Sequence, residues 1–287
     1  MGFYQIMKNI IVIPARYGST RLPGKPLVQI KGHSLLYRVW RLAKNARSID
    51  EVFIATDDQR IQKHAQNFGA QVLMTSADYP TGTDRVFGAI EQLPQKPEII
   101  INLQGDAVLT PPWIIQSLID ALVNDSSTKM ATLATHLTWV QYDDLVKSKT
   151  ISKSSGTTVS FDKNGDALYF SKNIIPYVRN RPVVDDNNST NKSNLMSPVF
   201  KHVGMYGYRY DTLKEFVSLP QSPLEKVESL EQLRMLENGI KIKVVVVDVK
   251  GRSMWSIDSP EDVVKVEGII EREGELLALP SSLTVFT

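Results

Sequence analysis

Residues 10–26 have the sequence IIVIPARYGSTRLPGKP. The apolar run at 10–13 predicts a buried strand that ends at Pro14. In an open α/β sheet, ligands bind at the carboxyl ends of the strands, which is where the following loop would lie. That loop carries three cations interleaved with glycine and proline: Arg16, Arg21 and Lys25. Cations and exposed backbone N–H groups in this position suit a polyphosphate; the alternative is a solvated basic turn.

The glycine spacing of this loop differs from that of the common phosphate-binding loops. A P-loop has the pattern G-x-x-x-x-G-K-[ST], whereas here Gly18 and Gly24 are six residues apart and Pro26 follows Lys25. Pro26 disfavours helix at the residue before it, so no helix is expected to begin at Lys25. The dinucleotide-binding pattern G-x-G-x-x-G is also missing from this segment. The segment therefore predicts a nucleotide-binding loop of another type.

The composition excludes several classes of protein. A chain of 287 residues that is 42% hydrophobic can form one large domain, or one domain with an insertion. The net charge of +2 is too small for a non-specific nucleic-acid binder, so no nucleic-acid partner is expected. The chain has no cysteine, which excludes disulfides and cysteine-based metal sites. Because no apolar run is long enough for a signal peptide or a membrane span, we expect a cytoplasmic protein without membrane contact.

Strand-like apolar runs alternate with amphipathic helical stretches through the first half of the chain. The predicted strands are at 10–13, 52–55, 71–74 and 99–103. The predicted helices are at 35–46, 59–68, 84–93 and 112–123. Strands and helices in this order predict an α/β fold with a Rossmann-like, mostly parallel sheet.

The alternation changes near residue 130. Two strand-like runs, 157–162 and 166–171, surround a short turn and predict a hairpin. Residues 184–194 are polar without periodicity, which predicts a mobile loop or a disordered segment. We therefore interpret residues 1–287 as a single α/β domain with a subdomain inserted at 130–210. The α/β pattern resumes with two strands and two helices, predicted at 203–210, 241–249, 224–236 and 260–272.

Two aspartates are candidate metal ligands. Asp106 follows the predicted strand at 99–103, and Asp258 follows another strand region in the sequence Ile257-Asp-Ser-Pro. Carboxylates that face a polyphosphate loop suit Mg²⁺, which prefers a few carboxylates together with phosphate oxygens and waters. Each aspartate could instead cap the helix that follows it.

The segment at 14–27 resembles the signature of the 3-deoxy-manno-octulosonate (Kdo) cytidylyltransferases, also called CMP-Kdo synthetases. The resemblance covers nearly the whole chain and implies the fold of the nucleotide-diphospho-sugar transferases. Further matching segments follow in the order of the family, at 55–57, 81–85, 102–106, 167–171, 202–208, 223–236 and 257–262.

The resemblance also implies a reaction. The anomeric hydroxyl of Kdo or a related 2-keto-3-deoxy sugar acid attacks the α-phosphorus of CTP and expels pyrophosphate, in bacterial lipopolysaccharide or capsule synthesis. Mg²⁺ is the implied cofactor, with Asp106 and Asp258 as its ligands and Arg16 and Lys25 beside them in catalysis. The inserted subdomain implies a homodimer, because in the family it carries the dimer contact and part of the sugar site.

The resemblance assigns the substrate contacts residue by residue. Single residues have alternatives to a substrate contact. Thr81 or Thr83 could cap a helix, the histidine could be structural, and Glu231 and Gln232 could be a solvated pair. The implied nucleotide-binding residues are Ala15, Arg16, Ser19, Arg21, Lys25, Thr81, Gly82, Thr83, Arg85, Gln104 and Asp106. The implied sugar-binding residues are Gln104, Lys172, Arg179, His202, Tyr206, Glu231 and Gln232.

The chain departs from the family pattern in its sugar-binding half. Ala107 and Val108 replace a Glu-Pro pair, Lys172 stands where arginine is usual, and residues 155–159 replace an Asn-x-Val-Lys segment. Lysine keeps the charge but lacks the bidentate fork that arginine offers a carboxylate. A nucleotidyltransferase for a sialic-acid-like or other acceptor and a non-catalytic nucleotide-binding paralogue therefore remain as alternatives.

Overall fold

The computed structural model describes residues 8–19, 21–151, 156–180 and 195–279. The loop predicted at 184–194 lies outside these residues. Within the described ranges no helix has both the length and the apolar character needed to cross a membrane.

The described residues form strands and helices in alternation, and the bounds are as follows. The strands are β1 Asn9–Pro14, β2 Gln29–Ile30, β3 His33–Ser34, β4 Glu51–Thr56, β5 Gln71–Met74, β6 Ile99–Asn102, β7 Met130–Thr138, β8 Thr158–Phe161, β9 Ala167–Ser171, β10 Met196–Arg209 and β11 Lys243–Val246. The helices are α1 Leu35–Lys44, α2 Gln59–Asn67, α3 Gly82–Ile90, α4 Pro112–Val123, α5 Trp139–Ile151, α6 Tyr210–Ser218, α7 Pro223–Glu228, α8 Leu233–Glu237 and α9 Pro260–Glu273.

One mixed sheet forms the centre of the molecule. Its strands lie in the order β11-β7-β10-β6-β1-β4-β5, with β8 paired to β10 and β9 paired to β8. The pairs β6-β1, β1-β4, β4-β5 and β11-β7 are parallel, whereas β10 is antiparallel to both of its neighbours. The fold is therefore mixed α/β with a mostly parallel central sheet, as the sequence predicted.

Helices cover both faces of this sheet, and the side chains of β1 show how. Ile11 and Ile13 pack on one face among buried residues of α1, α4 and α9. Ile10 and Val12 pack on the other face among residues of α3 and α6. Because successive side chains of a strand point to opposite faces, a continuous apolar run is what a strand buried on both sides requires.

The first four predicted strands and helices are confirmed to within a few residues at each end. The prediction that no helix begins at Lys25 holds for α-helix, although a single 3₁₀ turn covers Lys25–Leu27. The strand predicted at 203–210 begins earlier, at Met196.

The single helix predicted at 224–236 is wrong. The chain forms α7 and α8 instead, and between them Ser229 adopts the left-handed conformation with φ of 51°. A residue in that conformation ends an α-helix, because its backbone cannot continue the right-handed turn. The break places Glu231 between the two helices rather than on a helix face.

The range 130–210, predicted as an inserted subdomain, begins and ends inside the main sheet. Strand β7 lies between β11 and β10, and β10 lies between β7 and β6. The chain leaves the path of the main sheet between these two strands, where α5 and the hairpin of β8 and β9 lie. The bounds at 130 and 210 are therefore too wide, and the dimer contact implied for this region stays a prediction.

Candidate active site

A cavity of about 370 Å³ lies at the carboxyl ends of β1 and β6. It is lined by all the predicted nucleotide-binding residues except Thr83, and by Asp258 and Glu231. The residues that the prediction placed here and the structure brings together are Ala15, Arg16, Ser19, Arg21, Lys25, Thr81, Gly82, Arg85, Gln104 and Asp106.

Two neighbouring strands bring the first pieces of this cavity together. Strands β1 and β6 are parallel, and the Leu103 amide donates to the Val12 carbonyl at 3.1 Å. Beyond them, a β-carbon on Gly105 would lie only 2.7 Å from the carbonyl oxygen of Pro14. Glycine is therefore required at this close approach, and its neighbours Gln104 and Asp106 project beside the basic loop.

The basic loop is built around Tyr17. The Tyr17 carbonyl accepts hydrogen bonds from the amides of Ser19 at 2.9 Å and Gly24 at 3.0 Å. Gly24 has φ of 71°, and a β-carbon there would lie 3.1 Å from the Tyr17 ring. On the ring itself lies the guanidinium of Arg60, 3.3 Å from its centroid. Arg60 also pairs with Asp58, the N-cap of α2, so the loop is fastened to the start of that helix.

Lys25 joins the two candidate metal ligands. Its Nζ atom lies 2.8 Å from Asp106 Oδ2 and 3.2 Å from Asp258 Oδ1. Arg21 approaches the same Asp258 oxygen at 3.2 Å. Asp106 is held near Asp258 by the backbone as well, because its carbonyl accepts from the Ile257 amide at 3.2 Å. Since one ammonium reaches both carboxylates, they converge on a single point.

The structure shows that Asp258 does not cap the helix that follows it. Ser259 is the N-cap of α9, and Asp262 completes a capping box with it. Asp262 also accepts from the Asp258 amide at 2.9 Å. The capping function therefore belongs to Ser259 and Asp262, and the Asp258 carboxylate faces Lys25 and Arg21 in the cavity.

Helix α3 begins at the cavity, where Gly82 lies beside Pro14 and Gln104. The Thr81 hydroxyl accepts from the Asp84 amide at 3.1 Å, so Thr81 both caps the helix and lines the cavity. Arg85, one turn later, is only 3% exposed. Its guanidinium lies 3.2 Å from Asp57 Oδ1 and donates to the Thr75 hydroxyl at 2.6 Å. These partners fix the orientation of the guanidinium of Arg85, which also lines the cavity.

Thr83 lies beneath the cavity rather than on its surface. It is 2% exposed, and its hydroxyl donates to Glu231 Oε2 at 2.7 Å. Burial raises the pKa of the Glu231 carboxyl, and the hydrogen bond from Thr83 opposes that shift. Of the residues predicted to bind sugar, Glu231 and Gln104 line the cavity.

The other predicted sugar-binding residues lie outside the cavity lining. Tyr206 donates its hydroxyl to Gln232 Oε1 at 2.9 Å, and the ring of His202 lies 5.7 Å from that of Tyr206. These three residues form one connected cluster in which burial raises the pKa of Tyr206. Lys172 is half-buried with its amide bonded to Glu228 at 2.8 Å, and Arg179 is exposed. Their contacts with a sugar stay predictions.

Sequence reasoning missed several residues of the site. Tyr79 and Pro80 line the cavity immediately before the predicted segment at 81–85. Gly88 offered a signal, because a glycine inside a helix often marks a close neighbour, and a β-carbon there would overlap the Tyr79 ring. Asn102, which is fully buried at the end of β6, begins the matching segment at 102–106, but sequence reasoning assigned it no role.

The arrangement suits one kind of chemistry. Positive charge in the cavity lining comes from Arg16, Arg21 and Lys25, and the N-terminus of α3 belongs to the same lining. Positive charge and helix N-termini both favour phosphate groups. Two converging carboxylates beside that charge provide the hard oxygen ligands of a divalent cation. The site is therefore suited to a nucleotide polyphosphate and a metal ion.

Comparison with known proteins agrees with this geometry. The family model described as cytidylyltransferase matches residues 10–242. A 3-deoxy-manno-octulosonate cytidylyltransferase from Maricaulis maris (strain MCS10) is 48% identical over 94% of this chain and 100% of its own length. A protein of the same name from Thermodesulfovibrio yellowstonii (strain ATCC 51303 / DSM 11347 / YP87) is 44% identical over 91% of this chain and 97% of its own.

Solved structures give the same result. The structure of CMP:2-keto-3-deoxy-manno-octonic acid synthetase complexed with CTP superposes with a TM-score of 0.78 at 35% identity, covering 93% of this chain and 99% of the other. A 4-diphosphocytidyl-2C-methyl-D-erythritol synthase from Anaerococcus prevotii DSM 20548, at 13% identity and a TM-score of 0.55, shares the fold over 92% of this chain and 99% of its own. The chain therefore belongs to the cytidylyltransferase family and is a nucleotidyltransferase.

Proposed function

We propose that this chain transfers CMP from CTP to 3-deoxy-manno-octulosonate and releases pyrophosphate. The observation that carries the proposal is the cavity that Arg16, Arg21 and Lys25 line together with Asp106 and Asp258, in which Arg21 and Lys25 contact the carboxylates. Two relatives that match more than nine tenths of the chain bear the name of this activity, and the similar solved structure is complexed with CTP.

The proposed step forms one bond and breaks another. The anomeric hydroxyl oxygen of the sugar bonds to the α-phosphorus and its proton passes to solvent water. The bond from that phosphorus to the bridging oxygen breaks, and the electron pair leaves with pyrophosphate. Arg16, Arg21 and Lys25 neutralise the charge that gathers on the triphosphate. The walls of the cavity hold the two substrates in line, which is the larger part of what the protein supplies.

Mg²⁺ fits the residues that would hold it. Asp106 and Asp258 converge on one ammonium nitrogen, so a single cation can contact both carboxylates. Among the described residues no three His, Cys, Asp or Glu side chains gather as a metal site, so the remaining ligands of the ion would be phosphate oxygens and waters. When bound, Mg²⁺ polarises the phosphate oxygens and lowers the pKa of a coordinated hydroxyl. With the ion on the two carboxylates, Lys25 would contact phosphate oxygens instead.

The deciding experiment measures pyrophosphate release from CTP with a panel of sugar acids. The panel contains Kdo, an amino-substituted Kdo and a sialic acid, each with Mg²⁺ and with a chelator. We expect turnover with Kdo that requires the metal. Turnover with only another sugar acid would show that this acid, and not Kdo, is the substrate. No release of pyrophosphate with any sugar acid would contradict the proposal.

The assembly and location expected from the sequence belong to the same proposal. We propose a homodimer whose contact is formed by the part of the chain that connects β7 to β10 in the sequence. We also propose that the enzyme is cytoplasmic, since CTP is an intracellular nucleotide. Light scattering at micromolar protein concentration measures the assembly directly. A monomer with full turnover would show that the dimer contact is not needed for the reaction.

A further inference from the structure

Four polar side chains form a continuous series of hydrogen bonds between two walls of the cavity. Gln104 Nε2 donates to Asn102 Oδ1 at 3.1 Å, and Asn102 Nδ2 donates to the Thr83 hydroxyl oxygen at 3.3 Å. The Thr83 hydroxyl in turn donates to Glu231 Oε2 at 2.7 Å. The first and last members line the cavity, whereas the middle two do not.

The two middle residues are buried, and Thr83 also shares a side-chain hydrogen bond with Tyr208. Asn102 is 0% exposed and Thr83 is 2% exposed. Asn102 ends a strand whose other residues are three isoleucines, and its backbone lies opposite Val12 on one side and Tyr206 on the other. A buried polar group lowers stability unless it is paired, and apolar residues of similar shape would fill the same space. Stability alone therefore does not explain an amide and a hydroxyl at these two positions.

The series has one possible direction while Glu231 is ionised. A carboxylate only accepts, so the single hydroxyl proton of Thr83 points to Glu231. The Thr83 oxygen must then accept from the amide nitrogen of Asn102, and the Asn102 oxygen must accept from the amide nitrogen of Gln104. Gln104 is thus left with its Oε1 atom unused by this series, 3.7 Å from the place of a β-carbon on Gly82 at the cavity wall.

We propose that Thr83 and Asn102 are positioning residues that fix two hydrogen-bond acceptors, Gln104 Oε1 and the Glu231 carboxylate, for the hydroxyl groups of the sugar. The inference rests on the proposed function, which supplies a polyhydroxylated second substrate. It assigns Thr83 a role different from the nucleotide contact that the sequence predicted. It also links a loop after β6 to the break between α7 and α8, which are far apart in the chain.

Thr83→Val removes the hydroxyl and keeps the shape of the side chain. We expect the KM for the sugar to rise about tenfold, as for the loss of one hydrogen bond to a charged group, while the KM for CTP stays within about twofold. Thr83→Ser keeps the hydroxyl and restores the KM for the sugar. Thr212→Val, at a threonine of α6 that is 4% exposed and outside the cavity lining, is the matched control for a buried change. An unchanged KM for the sugar in Thr83→Val, or an equal rise for both substrates, would overturn the proposal.

A cycle of variants tests the coupling itself. The effects of Gln104→Ala and Glu231→Ala on the KM for the sugar should be non-additive when Thr83 is present. They should become additive in the Thr83→Val background, because the connection between the two residues is gone. Non-additivity of the same size in both backgrounds would mean that the sugar, rather than Thr83, couples the two residues.

The side-chain amide of Gln104 gives a readout that needs no turnover. Its pair of ¹⁵N-bound proton resonances is identified as the pair that disappears in Gln104→Ala. In the wild-type protein we expect two well-separated proton shifts and slowed exchange with water, both lost in Thr83→Val and retained in Thr83→Ser. Resonances that do not change in Thr83→Val would refute the inference even if the enzyme acts on Kdo. Conversely, if no sugar acid of the panel is a substrate, the resonances still show whether Thr83 orients Gln104, because they are measured without turnover.

Discussion

His202 lies inside the sheet, and its surroundings determine its protonation. Its Nε2 atom lies 2.9 Å from the Thr132 hydroxyl oxygen, and that hydroxyl donates to the Met205 carbonyl at 2.8 Å. Because the hydroxyl has only one proton, its oxygen accepts from Nε2–H, which the neutral imidazole provides. Burial lowers the pKa of His202 from 6.5 to about 3. The ring is therefore neutral throughout the physiological range and offers a sugar carboxylate no positive charge.

This lowered pKa predicts a loss of stability in mild acid. The unfolded chain protonates this histidine near pH 6.5, whereas the folded protein does so only near pH 3. Between these values the unfolded state binds more protons, so the free energy of unfolding falls as the pH is lowered. At roughly 1.4 kcal/mol for each pH unit below the unfolded pKa, the loss at pH 5.0 is about 2 kcal/mol. Burial lowers the pKa of His64 as well, so the contribution of His202 must be isolated by substitution.

Urea unfolding at pH 7.0 and 5.0 measures the effect. His202→Gln keeps an N–H donor for Thr132 and does not titrate. The free energy of unfolding of the wild-type protein should fall by about 2 kcal/mol more than that of His202→Gln between the two pH values. Equal falls for the two proteins would refute the reasoning, because they would show that His202 titrates alike in the folded and unfolded states.

Three further substitutions test the cavity. Asp106→Asn should lower pyrophosphate release by about a hundredfold or more with little change in thermal unfolding, since a carboxylate beside the reacting phosphate is lost; wild-type turnover would remove Asp106 from the metal site. Arg21→Ala should raise the KM for CTP by roughly tenfold to a hundredfold, the loss of a charged hydrogen bond of about 1.5–3 kcal/mol, and should spare the KM for the sugar. Lys172→Arg should change turnover with Kdo by less than about twofold, because Lys172 lies outside the cavity lining; a larger change would indicate contact with the sugar.

The fold of the first half is predictable because its signals are local. Strands buried on both faces are continuous apolar runs, and the helices between them carry their own caps, such as Ser34 for α1 and Thr81 for α3. The antiparallel position of β10 has no such signal. Its place between β6 and β7 depends on pairing with strands that precede it by about sixty to a hundred residues, as its register with Ile101 and Leu133 shows. Pairing over such separations leaves no mark on the pattern within a strand.

The break between α7 and α8 shows a second kind of limit. Leu230, Leu233 and Leu236 continue an amphipathic spacing across the break, which is why the pattern predicts one helix. Ser229 ends α7 in a conformation for which glycine or asparagine would be the usual indication. The buried ion pair of Arg234 with Glu225, at 2.6 Å between Nη2 and Oε1, holds the two short helices together. That contact exists only in the folded chain, so no pattern within the segment predicts it.

The two halves of the candidate site also differ in how far their residues are predictable from local sequence. Three cations of the phosphate side lie within ten residues of one loop, so their charge and spacing alone indicate a polyphosphate. The candidate sugar side is assembled from β6, the start of α3 and the break after α7, and Thr83 meets Asn102 and Glu231 only there. Under the proposed positioning role, a substitution of Thr83 or Asn102 would reorient Glu231 or Gln104 without changing a residue that contacts the sugar. The same question applies to the departures from the family pattern at Ala107 and Val108, which follow Asp106 directly: they can change the site by moving its contact residues rather than by contacting the sugar.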